Sequence, residues 1–158
     1  MKVGFGFDVH SFEEGRPLIL GGVTLAYDRG LVGHSDGDVV SHAITDAVLG
    51  AAVLGDLGQH FPSDAATWKD AASLDFIRKV VQMLSTVWLR VEHIDATIVC
   101  ERPEIAPHRD AMRKALSEAL GIKAEDLSIK ATTTDGLGFT GRGEGIAAYA
   151  VAVLASTV

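Results

Sequence analysis

Seven residues near the start, Gly4-Phe5-Gly6-Phe7-Asp8-Val9-His10, constrain this chain more than any other stretch. They begin as an apolar strand and end on an acid and an imidazole two residues apart. Residues i and i+2 of an extended chain share a face, so Asp8 and His10 project together and Val9 turns the other way. A carboxylate beside an imidazole suits a borderline metal such as zinc. The same pair also fits a solvated strand end. Two ligands do not complete a metal site, and the candidate third is His42, in Gly33-His34-Ser35-Asp36-Gly37-Asp38-Val39-Val40-Ser41-His42.

Along the chain, residues 1–12 read as the first strand. Leu18 to Leu25, two apolar triplets around Gly21-Gly22, read as a hairpin. Residues 29–37 form a polar loop in which Ser35 or Asp36 can cap a helix over about 38–54. That helix has an apolar face of Val39, Val40, Ala43, Ile44, Ala47, Val48 and Ala51. Asp38, His42 and Asp46 recur at i, i+4 and i+8 and stack as one polar ridge. The ridge is either a solvent-exposed face or a mount for His42, with Asp46 orienting the imidazole ring. Gly55 to Asp64 reads as a functional loop. A second helix is expected over 71–87, with Leu74, Ile77, Val80, Val81 and Leu84 on its buried stripe, and a strand over 94–100. A third helix runs over 107–120, with Gly121 as its left-handed C-terminal cap. Strands over 127–133 and 145–156 flank a glycine-rich loop, 134–143. The pattern predicts one domain, 1–158. Its fold class is α+β, a mixed sheet with helices packed on one face. The final strand is apolar on both faces, which predicts an oligomer with neighbouring sheets packed together.

Composition narrows the function. The 158 residues are 47% hydrophobic and carry a net charge of −7 with no basic run, which argues against a nucleic-acid surface. A phosphorylated small molecule is still compatible, because bound metal ions supply local positive charge. The one cysteine, Cys100, permits no intrachain disulfide and suits a reducing compartment. No signal peptide is evident, and the longest apolar stretch, 145–158, falls short of the roughly 20 residues a spanning helix needs. A cytoplasmic protein is therefore expected.

Nucleotide-binding P-loop and nucleophile-elbow motifs are absent. What the chain offers is a group of Asp8, His10, His34, His42 and Asp56, and a run Thr132-Thr133-Thr134-Asp135 ahead of four glycines. The threonines are either plain strand residues or present hydroxyls and backbone N–H groups to phosphates.

Five motifs, in order, carry a resemblance that runs nearly end to end. They are Gly6-Phe7-Asp8-Val9-His10, His34-Ser35-Asp36-Gly37-Asp38 with His42, Gly55-Asp56-Leu57-Gly58, Ala131-Thr132-Thr133-Thr134, and Leu137-Gly138-Phe139-Thr140-Gly141-Arg142-Gly143-Glu144-Gly145. On these the chain resembles the family of 2-C-methyl-D-erythritol 2,4-cyclodiphosphate synthases of non-mevalonate isoprenoid biosynthesis. The resemblance implies cyclisation of 4-diphosphocytidyl-2-C-methyl-D-erythritol 2-phosphate with release of CMP, by a homotrimer with active sites between subunits. It implies zinc on Asp8, His10 and His42, and magnesium or manganese bridging the substrate diphosphate and meeting Asp135. His34 and Thr133 match positions that stabilise the transition state. Asp56, Leu57 and Gly58, with Phe61, Pro62, Ser63, Asp64 and Ala65, match segments that hold the methylerythritol phosphate. Cys100, Pro103, Glu104, Ile105 and Ala106, with Thr132, Thr133, Thr134 and Asp135, match the cytidine-diphosphate pocket. Ser35, Phe139 and Arg142 match further substrate contacts.

Three positions depart from the common family pattern. Asp135 stands where Glu is frequent, and Glu104 and Gly136 stand where lysines are frequent. The shorter acid reduces reach toward a second metal, and Glu104 adds negative charge beside a pyrophosphate pocket. The rival reading is a zinc-dependent phosphodiesterase or pyrophosphatase that uses the same ligands with water as nucleophile. A non-catalytic nucleotide-binding protein is the other.

Overall fold

The computed structural model describes residues 1–158. Its strands are β1 (Lys2–Glu14), β2 (Leu18–Leu20), β3 (Val23–Leu25), β4 (Arg29–Leu31), β5 (Leu89–Val99), β6 (Leu127–Thr132) and β7 (Gly145–Ser156). Its helices are α1 (Val39–Ala52), α2 (Leu57–His60), α3 (Ser73–Thr86), α4 (Arg109–Leu120) and α5 (Gly138–Gly141). The main sheet runs β4-β1-β7-β5-β6, and β2 and β3 form a separate two-stranded ribbon. Every pairing is antiparallel except β5 with β6, which α4 connects. The sheet is therefore mixed, as expected.

Helices α1, α3 and α4 cover one face. The core lies between, with Ile44, Leu49, Ile77, Leu84, Ile94, Ile98, Met112 and Leu116 all fully enclosed. Burying each such side chain contributes about 1.5–3 kcal/mol. On the opposite face β1 and β7 expose Val3, Phe5, Phe7, Val9, Tyr149 and Val151. Phe7 packs on Tyr149 with ring centroids 4.8 Å apart.

The covered face of β1 is built from what it lacks. Gly4 and Gly6 lie opposite Ala152 and Ala150 of β7, and α1 lays Ala43, Ala47 and Ala51 onto them. A Cβ on Gly6 would fall on the Ala43 carbonyl oxygen, and one on Gly4 on the Ala47 carbonyl oxygen. Helix and strand backbones therefore touch with no side chain between them.

The structure corrects several local expectations. The helix cap is Asp38 rather than Ser35 or Asp36, and its carboxylate accepts from Ser41 N at 3.1 Å. Asp38 also accepts from Gly21 N and Gly22 N, so it ties the β2–β3 turn to α1. Burial, with the neighbouring Asp36 charge, pushes its carboxyl up from the ordinary value, and the Ser41 and Gly22 donors counter only part of that rise. The polar ridge is thus no solvent face: Asp38 and His42 are buried. The expected loop over 29–37 contains β4, paired with the end of β1. The loop over 55–64 contains α2, where Asp56 and Gln59 form a reciprocal capping box. The glycine-rich loop contains α5. Gly121 does cap α4, with φ of 70°. Cys100 is buried, and burial together with Glu101 pushes its thiol up to about 11, which leaves it protonated and poorly nucleophilic.

Substituting Gly6→Ala must separate α1 from β1. The expected loss is about 1–3 kcal/mol of stability, the usual cost of overpacking, read from the urea midpoint. Metal affinity should fall with it, because α1 carries His42.

Candidate metal centre

Asp8 and His10 leave the sheet edge side by side, as their spacing predicts, and α1 brings His42 onto them. His10 Nε2 lies 2.7 Å from Asp8 Oδ2, His42 Nδ1 lies 3.1 Å from the same oxygen, and the two ring nitrogens are 3.1 Å apart. The three form a group able to hold a metal ion.

Hydrogen bonds around the rings decide what these atoms are. His10 Nδ1 meets the Val32 carbonyl oxygen. A carbonyl only accepts, so Nδ1 carries the proton and Nε2 of the neutral ring is a bare lone pair. His42 Nε2 lies 2.8 Å from Ser73 Oγ and 3.1 Å from Ser35 Oγ. The Ser73 hydroxyl donates to Asp36 Oδ1, so it accepts from His42 Nε2, and Nδ1 is bare as well. Three lone pairs thus converge, a repulsive arrangement unless a proton or a cation lies among them. Ligand atoms about 2.0–2.2 Å from a tetrahedral zinc are spaced by roughly 3.3 Å, so the group fits such an ion after a small expansion. Where a proton and not a cation fills the cluster, the imidazoles donate to Asp8, outweigh the burial that opposes its charge and hold its carboxyl well below the usual carboxylate range. Burial likewise opposes protonation of His10, and the Asp8 carboxylate more than offsets that, so its value is raised.

The orientation of His42 corrects one expectation. Asp46 does not hold the ring: its Oδ1 accepts from Leu57 N at 2.7 Å and so anchors α2. Ser73 and Asp36 do the orienting. Sequence reasoning missed Ser73, because a serine in the first turn of a helix signals nothing about a ring on another helix.

A cavity of about 170 Å³ opens on the cluster, lined also by His34, Ser35, Leu57, Phe61, Ser63, Trp68 and Phe76. Phe61 stacks on Phe76 at 4.4 Å, and Trp68 meets both edge-on. His34 Nε2 donates to the Ala65 carbonyl at 2.9 Å. Asp56 does not join the cluster: it is exposed and caps α2. Gly58 and Asp64 are exposed, and Pro62 is half-buried.

A second cavity, of about 340 Å³, is lined by residues 100–106, Arg109, Ala131, Thr132 and Thr133. Glu101 Oε1 accepts from Thr134 N and Gly136 N, both at 3.2 Å, and the Thr134 hydroxyl donates to Leu137 O at 2.6 Å. Thr134 therefore serves the loop itself. Asp135, Phe139 and Arg142 are exposed, and Arg142 pairs with Glu144.

The two cavities lie at the same end of the sheet. Val9 pairs with Ala147, Ala147 with Val99, and Val99 with Thr132. Three strand spacings of about 4.8 Å put β1 and β6 roughly 14 Å apart. One chain thus does not bring Thr133 or Asp135 to the metal cluster. The largest surface groove, about 1190 Å³, is lined by Leu84, Trp88, Leu89 and Leu120 among others and includes none of the cluster. No helix is long and apolar enough to cross a membrane.

Fold and site together define an α+β protein with a carboxylate–bis-imidazole group, able to hold a metal ion, beside an open cavity. A family model described as the YgbB family matches residues 1–155, and the chain belongs to that family. It is 54% identical over 154 residues to the 2-C-methyl-D-erythritol 2,4-cyclodiphosphate synthase of Moorella thermoacetica, covering 98% of this chain and 94% of that protein. The solved bifunctional IspDF of Campylobacter jejuni superposes with a TM-score of 0.94 at 37% identity, covering 98% of this chain and 42% of that one. A 2C-methyl-D-erythritol-2,4-cyclodiphosphate synthase in a CDP-bound form gives 0.89 at 32%, covering 98% and 100%.

Removing the hydroxyl that orients His42 isolates its role. Ser73→Ala should keep the fold by circular dichroism and weaken zinc affinity about 10–100-fold, measured by competition with a chromogenic chelator.

Proposed function

We propose that this chain is the cyclodiphosphate synthase its family membership indicates. It converts 4-diphosphocytidyl-2-C-methyl-D-erythritol 2-phosphate into 2-C-methyl-D-erythritol 2,4-cyclodiphosphate and CMP in the non-mevalonate isoprenoid pathway. The observation that carries this reading is the convergence of Asp8, His10 and His42 in a cavity whose wall includes His34. The reaction is intramolecular: a 2-phosphate oxygen attacks the β-phosphorus, the bond to the CMP oxygen breaks, and CMP leaves with its electron pair. The nucleophile is already an anion, so no activated serine or cysteine is required, and the inert Cys100 agrees with that. The work left to the protein is positioning and charge neutralisation.

Asp8, His10 and His42 would hold zinc, which would supply Lewis acidity toward a phosphoryl oxygen, and Asp135 would meet a magnesium or manganese ion that would offset charge on the diphosphate. The chain's own groups do the rest. Thr133 Oγ1 accepts from Asp135 N at 3.3 Å, which leaves its O–H to donate to a phosphoryl oxygen. His34 spends its Nε2 proton on the Ala65 carbonyl, which holds the ring in the cavity wall beside the substrate. Leu57, Phe61 and Ser63 line the space for the methylerythritol unit, with Asp56 and Gly58 to Ala65 as its rim. Residues 100–106 and Thr132 receive the cytidylyl group. Phe139 and Arg142 sit on the adjoining exposed loop, and Ser35 holds His42 from behind. The cytoplasm, a reducing compartment, suits this cysteine-poor chain.

Thr133 lies about 14 Å from the cluster within one chain, so the complete site needs a second copy. A homotrimer, in which the metal cavity of one subunit faces the cytidylyl cavity of the next, meets that need. The exposed stripe of Val3, Phe5, Phe7, Val9, Tyr149 and Val151 supplies an apolar surface to drive it.

Two experiments test this. Incubation with the cytidylyl substrate, followed by phosphorus NMR, should show CMP and a cyclic diphosphate. A linear product would favour the phosphodiesterase, and His42→Ala should lose both zinc and turnover, by at least 10³-fold. Phe7→Asp should shift the protein from trimer to monomer on sedimentation and abolish turnover while zinc content holds. A monomeric variant with full activity would remove the shared-site reading.

A further inference from the structure

Arginines are nearly all partnered in this protein. Arg16, Arg29, Arg78, Arg90, Arg113 and Arg142 each donate to a carbonyl or a carboxylate. Arg102 and Arg109 make no hydrogen bond or ion pair, and both line the same cavity, the one between residues 100–106 and 131–133. Arg102 is exposed, so water serves it. Arg109 is half-buried, and its Nε is enclosed with no hydrogen-bond partner. An enclosed guanidinium N–H without an acceptor is costly. Its position adds to the cost, because Arg109 opens α4 and a cation at a helix N-terminus opposes the helix dipole.

The acids of the cavity do not cancel this charge. Glu101 is committed to the backbone amides of Thr134 and Gly136, and Glu104 is exposed. What stands unsatisfied is a planar, permanently charged fork of donors facing a space of about 340 Å³, which suits an oxygen acceptor of a ligand.

We infer that Arg109 contacts the substrate directly, donating from its guanidinium to an oxygen of the cytidylyl group, either the cytosine carbonyl or a phosphate oxygen. This rests on the nucleotide reading above and adds a binding residue that no motif in the sequence marked. It also places a cation in a cavity whose lining carries the acids Glu101 and Glu104.

Calorimetric titration of the zinc-loaded full chain with CMP and with cytidine tests it. Arg109→Ala should raise the CMP dissociation constant at least tenfold, and the near-isosteric Arg109→Gln should do the same with the thermal midpoint unchanged. Arg109→Lys should recover part of the loss, as a point charge without the fork. If cytidine weakens by the same factor as CMP, the acceptor is the base carbonyl; if cytidine is unaffected, it is the phosphate. Either result supports the contact. CMP binding within twofold of the unaltered chain in both Arg109→Ala and Arg109→Gln overturns it and leaves the nucleotide reading standing. Failure of the unaltered chain to bind CMP overturns both.

Discussion

The structure depends on one contact, the laying of α1 directly against β1. Glycine inside a strand normally costs about 0.5–1 kcal/mol relative to alanine, and β1 has two on its covered face. The gain is proximity. With no Cβ on Gly4 or Gly6, the Ala43–Ala47 spine of α1 reaches the strand backbone. Ile44 and Leu49 of the same helix are then fully enclosed, and their burial offsets the cost of the glycines. His42 precedes Ala43, and Asp8 follows Gly6 by two residues. Once Ala43 sits on Gly6, the imidazole arrives at the carboxylate. The candidate metal centre is thus a by-product of helix–strand register, and its three side chains all stand on β1 or α1.

That register creates an electrostatic demand that the chain meets by fixing tautomers. Val32 O takes the proton side of His10, and the Ser73–Asp36 pair takes that of His42. Both rings present lone pairs inward, where only a cation or a proton relieves them. With a divalent ion bound, one carboxylate and two neutral rings leave a net single positive charge. A chain of net charge −7 would otherwise repel a phosphorylated substrate, so the ion reverses the local sign.

Which parts were legible in the sequence follows the range of the interaction. The Asp8–His10 pair obeys a two-residue period and was readable outright. His42 was readable as a candidate because its motif is distinctive, but the choice between ligand and solvent-facing residue depended on where α1 packs. Asp46, one helical turn from His42, looked like its orienting partner; the ring angle instead points Nε2 at α3, and Asp46 reaches α2. Ser73 and Arg109 carried no local signal: Ser73 matters through His42, on another helix, and Arg109 through the cavity it lines. The missed elements, β4, α2 and α5, span three or four residues each and are held by a strand neighbour, a capping carboxylate and a glycine-rich turn, not by any apolar period.

Separation across the sheet carries the last consequence. Cluster and threonine run stand at the same level but on strands β1 and β6, with β7 and β5 between. No side-chain motion closes a gap of roughly 14 Å, and β5 and β7 are locked by pairing from Leu89 to Val99 that is broken only by a register shift between Val91 and His93. An intramolecular cyclisation, however, needs electrophile and leaving group held within one substrate's length. In the ring proposed above, the β6 side of one copy meets the β1 side of another, which meets both conditions. The exposed aromatic and aliphatic stripe on β1 and β7 lies on the face away from the helices, where sheets of neighbouring copies can converge without covering either cavity. In the homotrimer proposed above, assembly and chemistry are coupled: burying the stripe brings the two half-sites together.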